Sequence, residues 1–143
     1  MMDDPPSRTI DLIELHDSVA ELRRKTTSVV LHLRPAYVHH WENTDGGWKG
    51  VGRSQDARIE IGCRPDSVVA FGEIEVSDGS LRVGDSAFDM IPVPFEAVEP
   101  VAVHLELVDG TNVTITGSSV RAELVGPATD VEPLPLEWAP DVQ

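Results

Sequence analysis

Positively charged side chains are scarce in this sequence, and lysine is the scarcest of them. The chain holds 11 Lys and Arg against 25 Asp and Glu, which gives a formal net charge of −14 at pH 7. Lys25 and Lys49 are the only lysines. A dense negative field repels phosphate backbones and anionic lipid surfaces. The composition therefore argues against nucleic acid and membrane as partners.

Cysteine and long apolar runs are nearly absent as well. With a single cysteine, Cys63, no intrachain disulfide can form. No apolar run approaches the roughly 20 residues that a membrane-spanning helix needs. The first residues, Met1 to Pro6, are acidic and proline-rich, whereas a secretory signal begins with basic residues and an apolar stretch. We therefore expect a cytoplasmic protein.

The residue patterns that mark common enzyme classes are missing too. The chain has no G-x-S-x-G, H-E-x-x-H or EF-hand pattern, and its glycine-rich stretch at 42–54 lacks the G-K-[ST] of a phosphate-binding loop. Cys63 has no recognisable His or Asn context, so a structural thiol explains it better than a nucleophile. The sequence predicts a protein that is not an enzyme and uses no cofactor.

What the chain does contain is a charge that is split by position. Residues 1–64 hold 9 basic and 10 acidic residues, whereas residues 65–143 hold only Arg82 and Arg121 against 15 acidic residues. Such a field attracts cationic partners. The alternative is that the acidity reflects only the adaptation of a whole proteome. We expect an acidic interaction face formed by five glutamates: Glu73, Glu75, Glu96, Glu99 and Glu106.

The spacing of apolar residues indicates one helix at the start of the chain. Leu12, Leu15, Val19 and Leu22 recur at intervals of three, four and three, which lays one apolar stripe along a helix. This pattern predicts a helix over about residues 9–25. The alternation of residues 10–15 leaves a short strand there as an alternative.

After residue 25 the apolar residues alternate with polar ones, which predicts strands. The last three predicted strands, 101–107, 113–115 and 120–124, follow one another as a meander. The fold class is therefore mainly β: an antiparallel β-sandwich or flattened barrel of about seven to nine strands with one N-terminal α-helix. The earlier predicted strands are 28–33, 36–41, 57–61, 67–76 and 81–83.

The chain divides into three parts. We expect residues 1–8 to form a disordered tail and residues 9–125 to form a single domain. Residues 126–143 form a proline- and acid-rich C-terminal extension. Within the extension, Leu134, Leu136 and Trp138 are the residues able to dock onto the domain.

Three histidines fall in the predicted strands, and a metal site is one interpretation of them. His39 and His40 are neighbours, so on a strand they point to opposite faces and do not easily share one ion. His32 could approach either of them across adjacent strands, but no C-x-x-C or H-x-x-x-H spacing supplies further ligands. We predict no metal site, with these three as weak candidates beside the alternative of half-exposed strand histidines.

The stretch 42–54, with four glycines, predicts a long loop, and loops of this length often carry function. The alternative is a hairpin tip with one tryptophan folded back onto the sheet. Aromatic and polar side chains in and before this stretch define a candidate binding site: Tyr37, His39, Trp41, Trp48, Lys49, Arg53 and Gln55.

Four segments of the chain carry a resemblance. They are Pro35-Ala36-Tyr37-Val38-His39, Gly47-Trp48 with Gln55, Ile91-Pro92-Val93-Pro94, and Leu105-Glu106-Leu107-Val108-Asp109-Gly110. Together they resemble a family of small bacterial proteins that is known only as uncharacterised, over residues 28–125. The resemblance implies a bacterial, β-rich single domain and no particular activity.

These observations favour a non-enzymatic interaction protein whose acidic half binds a basic protein partner, as inhibitors, immunity proteins and nucleic-acid mimics do. The first alternative is a small-molecule-binding protein or enzyme with its site at residues 37–55. The second is a structural subunit that associates with itself through the helix or an edge strand.

Overall fold

The computed structural model describes residues 8–63 and 71–140. Strands make up 77% of it, and their bounds follow in chain order. They are β1 (Arg8–Glu14), β2 (Ser18–Arg24), β3 (Ser28–Thr44), β4 (Gly47–Gly62), β5 (Gly72–Val83), β6 (Ser86–Phe88), β7 (Met90–Val93), β8 (Phe95–Ala97), β9 (Val101–Leu107), β10 (Asn112–Gly117) and β11 (Ser119–Pro133). A 3-10 turn, Leu136–Trp138, follows β11.

The strands form one large antiparallel sheet that does not close on itself among the described residues. Its main path runs β10-β9-β5-β2-β3-β4-β11-β8, and β1, β6 and β7 pair off this path. The prediction of a mainly antiparallel β protein is confirmed. The predicted count of seven to nine strands is too low, because three-residue strands such as β6 and β8 give almost no alternation to read in the sequence.

The predicted helix over residues 9–25 is wrong, since this segment forms β1 and β2. A turn at Asp17, which has a φ of 56°, separates the two strands. The buried residues alternate as Ile13 and Leu15 in one run and Ala20 and Leu22 in the next. These four residues become buried when both strands pair with the sheet. The same segment also has the apolar spacing of a helix, so strand pairing in the folded protein decides which structure forms.

The predicted loop at 42–54 is also wrong, because β3 and β4 form one long hairpin. Their pairing runs from Ser28 opposite Gly62 to Thr44 opposite Gly47, with a two-residue turn at Asp45 and Gly46. Gly50 and Gly52 lie inside β4 and not in a loop, and their missing side chains leave room for the aromatic rings of Trp41 and Tyr37 on β3.

The C-terminal meander forms only in part. Strand β10 pairs with β9 as predicted, but β11 leaves β10 and pairs with β4 and β8. Strand β11 continues to Pro133, well into the extension that the sequence analysis set apart. Most of the predicted tail at 1–8, and residues 67–70 of the predicted strand 67–76, lie outside the described residues.

One face of the sheet, called the inner face below, carries a single hydrophobic core. Nearly every strand contributes to it, and its members include Ile13, Leu31, Ile59, Leu105 and Ile115. The opposite, outer face carries most of the charged side chains. Within the described residues, no helix has the length and apolar character needed to cross a membrane.

Candidate functional site

The seven residues of the predicted binding site lie on the β3–β4 hairpin, but on both of its faces. Cross-strand partners share a face, and the register pairs Tyr37 with Ser54, His39 with Gly52 and Trp41 with Gly50. The same register pairs Asn43 with Trp48, so the four aromatic candidates share the outer face, which we call the aromatic face. The remaining three candidates, Lys49, Arg53 and Gln55, lie on the inner face.

The aromatic face is built over two glycines of β4. A methyl group at Gly50 would collide with the Trp41 ring, and one at Gly52 would collide with the Tyr37 ring. Trp41 is fully buried by this arrangement. The glycines therefore determine where the two rings of β3 lie.

Two carboxylates from other strands complete the polar contacts of the aromatic face. The Tyr37 hydroxyl donates to Glu132 Oε1 at 2.6 Å. His39 Nε2 lies 3.1 Å from Glu14 Oε2, and the imidazole is buried. Burial, and then the hydrogen bond to Glu132, raise the pKa of Tyr37 to about 12. These polar groups are thus engaged within the protein itself.

The segment after β11 covers part of the aromatic face. The Leu134 N–H donates to the Gly50 carbonyl at 3.0 Å, and its side chain is buried. Trp138 stacks on His39 with ring centroids 5.9 Å apart, although 55% of its surface stays exposed. Of the three residues that the sequence offered for docking, Leu136 makes the least contact and is 69% exposed.

In the part of the hairpin nearest its turn, the inner face carries polar contacts and not hydrophobic core residues. His40 Nδ1 lies 2.6 Å from Asp11 Oδ1, and His40 Nε2 lies 3.1 Å from Glu42 Oε1. The His40 ring thus bridges Asp11 of β1 and Glu42 of its own strand. This arrangement joins β1 to β3.

The other inner-face candidates also bind their own chain. The Arg53 guanidinium donates to Asp130 at 2.9 Å, and the Gln55 amide donates to the Gly126 carbonyl at 2.7 Å. Both contacts hold β11 to β4 beside the irregular part of their pairing. Lys49 is exposed opposite Glu42.

The three histidines that were weak metal candidates do not converge. His39 and His40 lie on opposite faces of β3, and His32 lies on the outer face opposite Arg58, at the other end of the strand. The Arg34 guanidinium donates to His32 Nδ1 at 3.1 Å, and burial together with that cation lowers the pKa of His32. No group of three His, Cys, Asp or Glu is arranged to hold a metal in the described part of the chain.

Three of the five glutamates predicted for the acidic face come together on the outer face of β5 and β9. Glu73 and Glu75 are two residues apart on β5 and both exposed. Glu106 of β9 pairs with Asp78 of β5. The Val108 N–H donates to the Glu75 carbonyl, which brings the turn that carries Asp109 against β5. We call this cluster the acidic patch: Glu73, Glu75, Asp78, Glu106 and Asp109.

The other two predicted glutamates lie elsewhere. Glu96 is on β8, opposite Arg121 of β11. Five strand spacings separate β8 from β5 along the sheet, a path of about 24 Å at about 4.8 Å per spacing. Glu99 precedes β9, and its carboxylate lies beside Gly84. Asp78 and Asp109 were not predicted for the acidic face, because only the strand register and the turn after β9 bring them next to Glu106 and Glu75.

The acidic patch has no cationic counterpart among the described residues. None of its carboxylates has a lysine or arginine nitrogen within 4.0 Å. Opposite Glu73 stands another acid, Glu21, and Arg23 is bonded to that residue. Hydrogen bonds from the Thr111 backbone and side chain lower the pKa of Asp109, which keeps it charged.

Apolar side chains and a depression accompany the acidic patch. Val19, opposite Glu75, is 41% exposed, and Val108 is 64% exposed. A depression of about 240 Å³ opens beside Glu106. This volume lies below the range of about 300–1,000 Å³ that is usual for small-molecule sites, and it suits one long side chain better. Its polar lining consists of Asp78, Ser80, Asp89, His104, Glu106 and Asn112.

A larger groove of about 1290 Å³ lies at the end of the sheet formed by the β2–β3 and β10–β11 turns. Hydroxyl groups and charges of both signs line it, among them Arg24, Lys25, Glu60 and Arg121. Glu60 accepts hydrogen bonds from Ser28 at 2.7 Å and from Lys25 at 3.2 Å, which lower its pKa. Burial raises the pKa of Cys63 at the groove wall. The groove therefore holds no activated thiol.

Comparison with known proteins returns no relative: no family model, no curated protein and no solved structure matches this chain.

Proposed function

We propose that this protein is a non-enzymatic interaction protein and that its acidic patch binds a basic protein partner. The observation that carries the proposal is the gathering of Glu73, Glu75, Asp78, Glu106 and Asp109 on one exposed face, with no lysine or arginine bonded to them in the described residues. Uncompensated charge of this kind is available to a partner.

The surroundings of the patch supply the other elements of a protein interface. Protein interfaces combine apolar contact area with a polar rim, and Val19 and Val108 offer such area next to Glu75. The depression beside Glu106 has the size for one lysine or arginine side chain and is lined by three carboxylates. A cationic side chain inserted there would form charge-assisted hydrogen bonds.

A small-molecule site or enzyme at residues 37–55 has less support. Tyr37, His39 and His40 bond to carboxylates of their own chain, and Arg53 and Gln55 hold β11. Trp138 also covers part of the aromatic face. A substrate would have to displace these contacts before it reached a reactive group.

The test compares three forms of the full chain that carry the same tag. They are the wild type, the patch variant Glu73→Gln/Glu75→Gln/Glu106→Gln, and the control variant Glu96→Gln/Glu99→Gln/Glu137→Gln. The six substituted residues are exposed, and both variants lose three negative charges. Thermal unfolding confirms that all three forms are folded. Proteins captured from an extract of the source cell are quantified, and the affinity of the purified partner is then measured.

We expect the wild type and the control variant to capture the same basic protein, and the patch variant to bind it at least about tenfold more weakly. The affinity should also fall between about 0.1 M and 1 M salt, over which the Debye length shortens from about 10 Å to 3 Å. Equal capture by all three forms, or binding that is indifferent to salt, would contradict the proposal.

A further inference from the structure

The edges of the sheet are protected to different degrees. Exposed edges invite pairing with other chains, and proteins blunt them with short strands, prolines, charges and bulges. Strands β6 and β8 have three residues each, and β7 contains Pro92. The far half of β11 carries Asp130 and Glu132, and its pairing is irregular. These segments all bear such protection.

Strand β10 is the exception. It has six residues, Asn112–Gly117, with neither a charge nor a proline, and among the described residues it pairs only with β9. The surrounding stretch 110–122 contains no carboxylate at all, although it lies in the half of the chain that holds 15 acidic residues. A neutral, unprotected edge thus occurs in a strongly acidic protein.

The hydrogen-bond pattern shows which groups of β10 are open. Leu107 N–H donates to the Thr111 carbonyl at 2.8 Å, and the same register pairs Leu105 with Val113. Hydrogen-bonded and non-hydrogen-bonded pairs alternate along an antiparallel ladder. The odd-numbered residues of β10 therefore bond to β9. The N–H and C=O groups of Asn112, Thr114 and Thr116 point to the open side.

We propose that β10 is the dimer interface of this protein and that a second copy adds its own β10 in antiparallel orientation. A two-fold axis at Thr114 pairs Thr114 with Thr114 of the second copy, and Asn112 with Thr116 of the second copy. The open N–H and C=O groups of each strand then find partners. Interfaces of this type are self-complementary, as a two-fold dimer requires.

The lack of carboxylates on β10 itself allows a second copy to approach at this edge. Two molecules that each carry a net charge of −14 repel one another. The proposed pairing brings the copies together along the stretch that has no carboxylates. It also directs the turn with Asp109 of one copy toward residues 117–119 of the other, which carry no charge. Threonines opposite one another add cross-strand contacts on the outer face.

The test measures the mass of the full-length protein by sedimentation and light scattering. The wild type should be a dimer. The variant Asn112→Lys/Thr116→Lys places lysines opposite lysines in the proposed register, and Asn112→Glu/Thr116→Glu places glutamates opposite glutamates. Each of these variants should be monomeric, and an equimolar mixture of the two should form the heterodimer. The matched control, Thr44→Lys/Thr129→Lys, changes two exposed threonines away from this edge and should remain a dimer.

A single substitution tests the backbone contacts separately. Thr114→Pro removes one open N–H, a change that edge strands tolerate, and should give a folded monomer. A monomeric wild type would overturn the proposal. So would a dimer that persists in Thr114→Pro and in both charge variants, or a mixture of the charge variants that stays monomeric.

Discussion

At the scale of single residues, Tyr37 reports whether β11 meets the hairpin as described. Its ring lies over Gly52 of β4, and its hydroxyl donates to Glu132 of β11. The phenol is thus partly shielded from water and bonded to a carboxylate. Both effects disfavour the phenolate.

The pKa of Tyr37 should be close to 12, against an ordinary value of 10. Absorbance titration of the folded protein measures this value without ambiguity, since the chain has only one tyrosine. The variant Glu132→Gln should lower the pKa toward 10, because the amide removes a negative charge from the hydroxyl. Because the folded pKa is the higher one, stability declines as pH rises from 10 toward 12. A wild-type midpoint near 10 would contradict the Tyr37–Glu132 contact.

His32 gives a second residue-scale prediction, in acid. Burial lowers its pKa below 6.5, so the unfolded chain takes up the proton first as pH falls. The contribution of His32 to stability is complete above pH 6.5 and is lost as pH falls through the lowered pKa. Below pH 6.5, the free energy of unfolding measured with denaturant should therefore fall more for the wild type than for His32→Gln. Parallel pH profiles of the two proteins would argue against a lowered pKa for the half-buried His32.

At the scale of elements, the β3–β4 hairpin depends on two glycines within a strand. A side chain at Gly52 would occupy the position of the Tyr37 ring. Overpacking of this kind costs about 1–3 kcal/mol. The glycines thus favour the pairing of β3 with β4 that the aromatic face requires.

We expect Gly52→Val to lower the free energy of unfolding by about 1–3 kcal/mol. The matched control is Gly46→Ala in the hairpin turn, where the nearest atom to an added methyl group is Thr44 Oγ1 at 3.9 Å. That substitution should change stability by less than about 0.5 kcal/mol. Equal effects of the two substitutions in denaturant unfolding would show that the Tyr37 ring does not lie over Gly52.

The sequence predicted elements correctly where one periodicity dominates. Alternation identified β9, and the Asp109-Gly110 turn identified its hairpin with β10. It failed at residues 9–25, because Leu15 and Leu22 belong both to a helical stripe and to two alternating runs. The hairpin at 42–54 was only the alternative interpretation, and its length was missed because glycine is rare inside strands. The Trp41 ring, which packs directly against Gly50, explains why a glycine occupies this position in a strand.

For the candidate site, periodicity predicts that Tyr37, His39 and Trp41 share a face of β3. It does not place Arg53 on the opposite face, since that depends on the register set at the hairpin turn. The partners Glu14, Glu132 and Trp138 come from distant parts of the chain, and no local signal links them to β3. The local pattern therefore predicts strand β3, whereas its contacts with Glu14, Glu132 and Trp138 depend on how the strands pair in the folded protein.

At the scale of the whole molecule, only some of the acidic residues that are concentrated in the second half of the sequence come together on one part of the surface. Glu96 and Glu99 separate from the others, and Glu96 lies opposite Arg121. Glu73, Glu75 and Glu106 converge with Asp78 and Asp109 into the acidic patch. Sheet order decides this outcome, because β5 and β9 are neighbours whereas β8 is at the far end.

The most direct test of partner binding at the acidic patch is zero-length carbodiimide cross-linking of the protein to its captured partner, read by mass spectrometry. This chemistry joins carboxylates to lysines in contact, and the chain has only Lys25 and Lys49 to compete with lysines of the partner. We expect cross-links from the partner to the acidic patch, at Glu73, Glu75, Asp78 or Glu106. Cross-links at Glu96, Glu99 or Glu137, with the acidic patch unmodified, would contradict it.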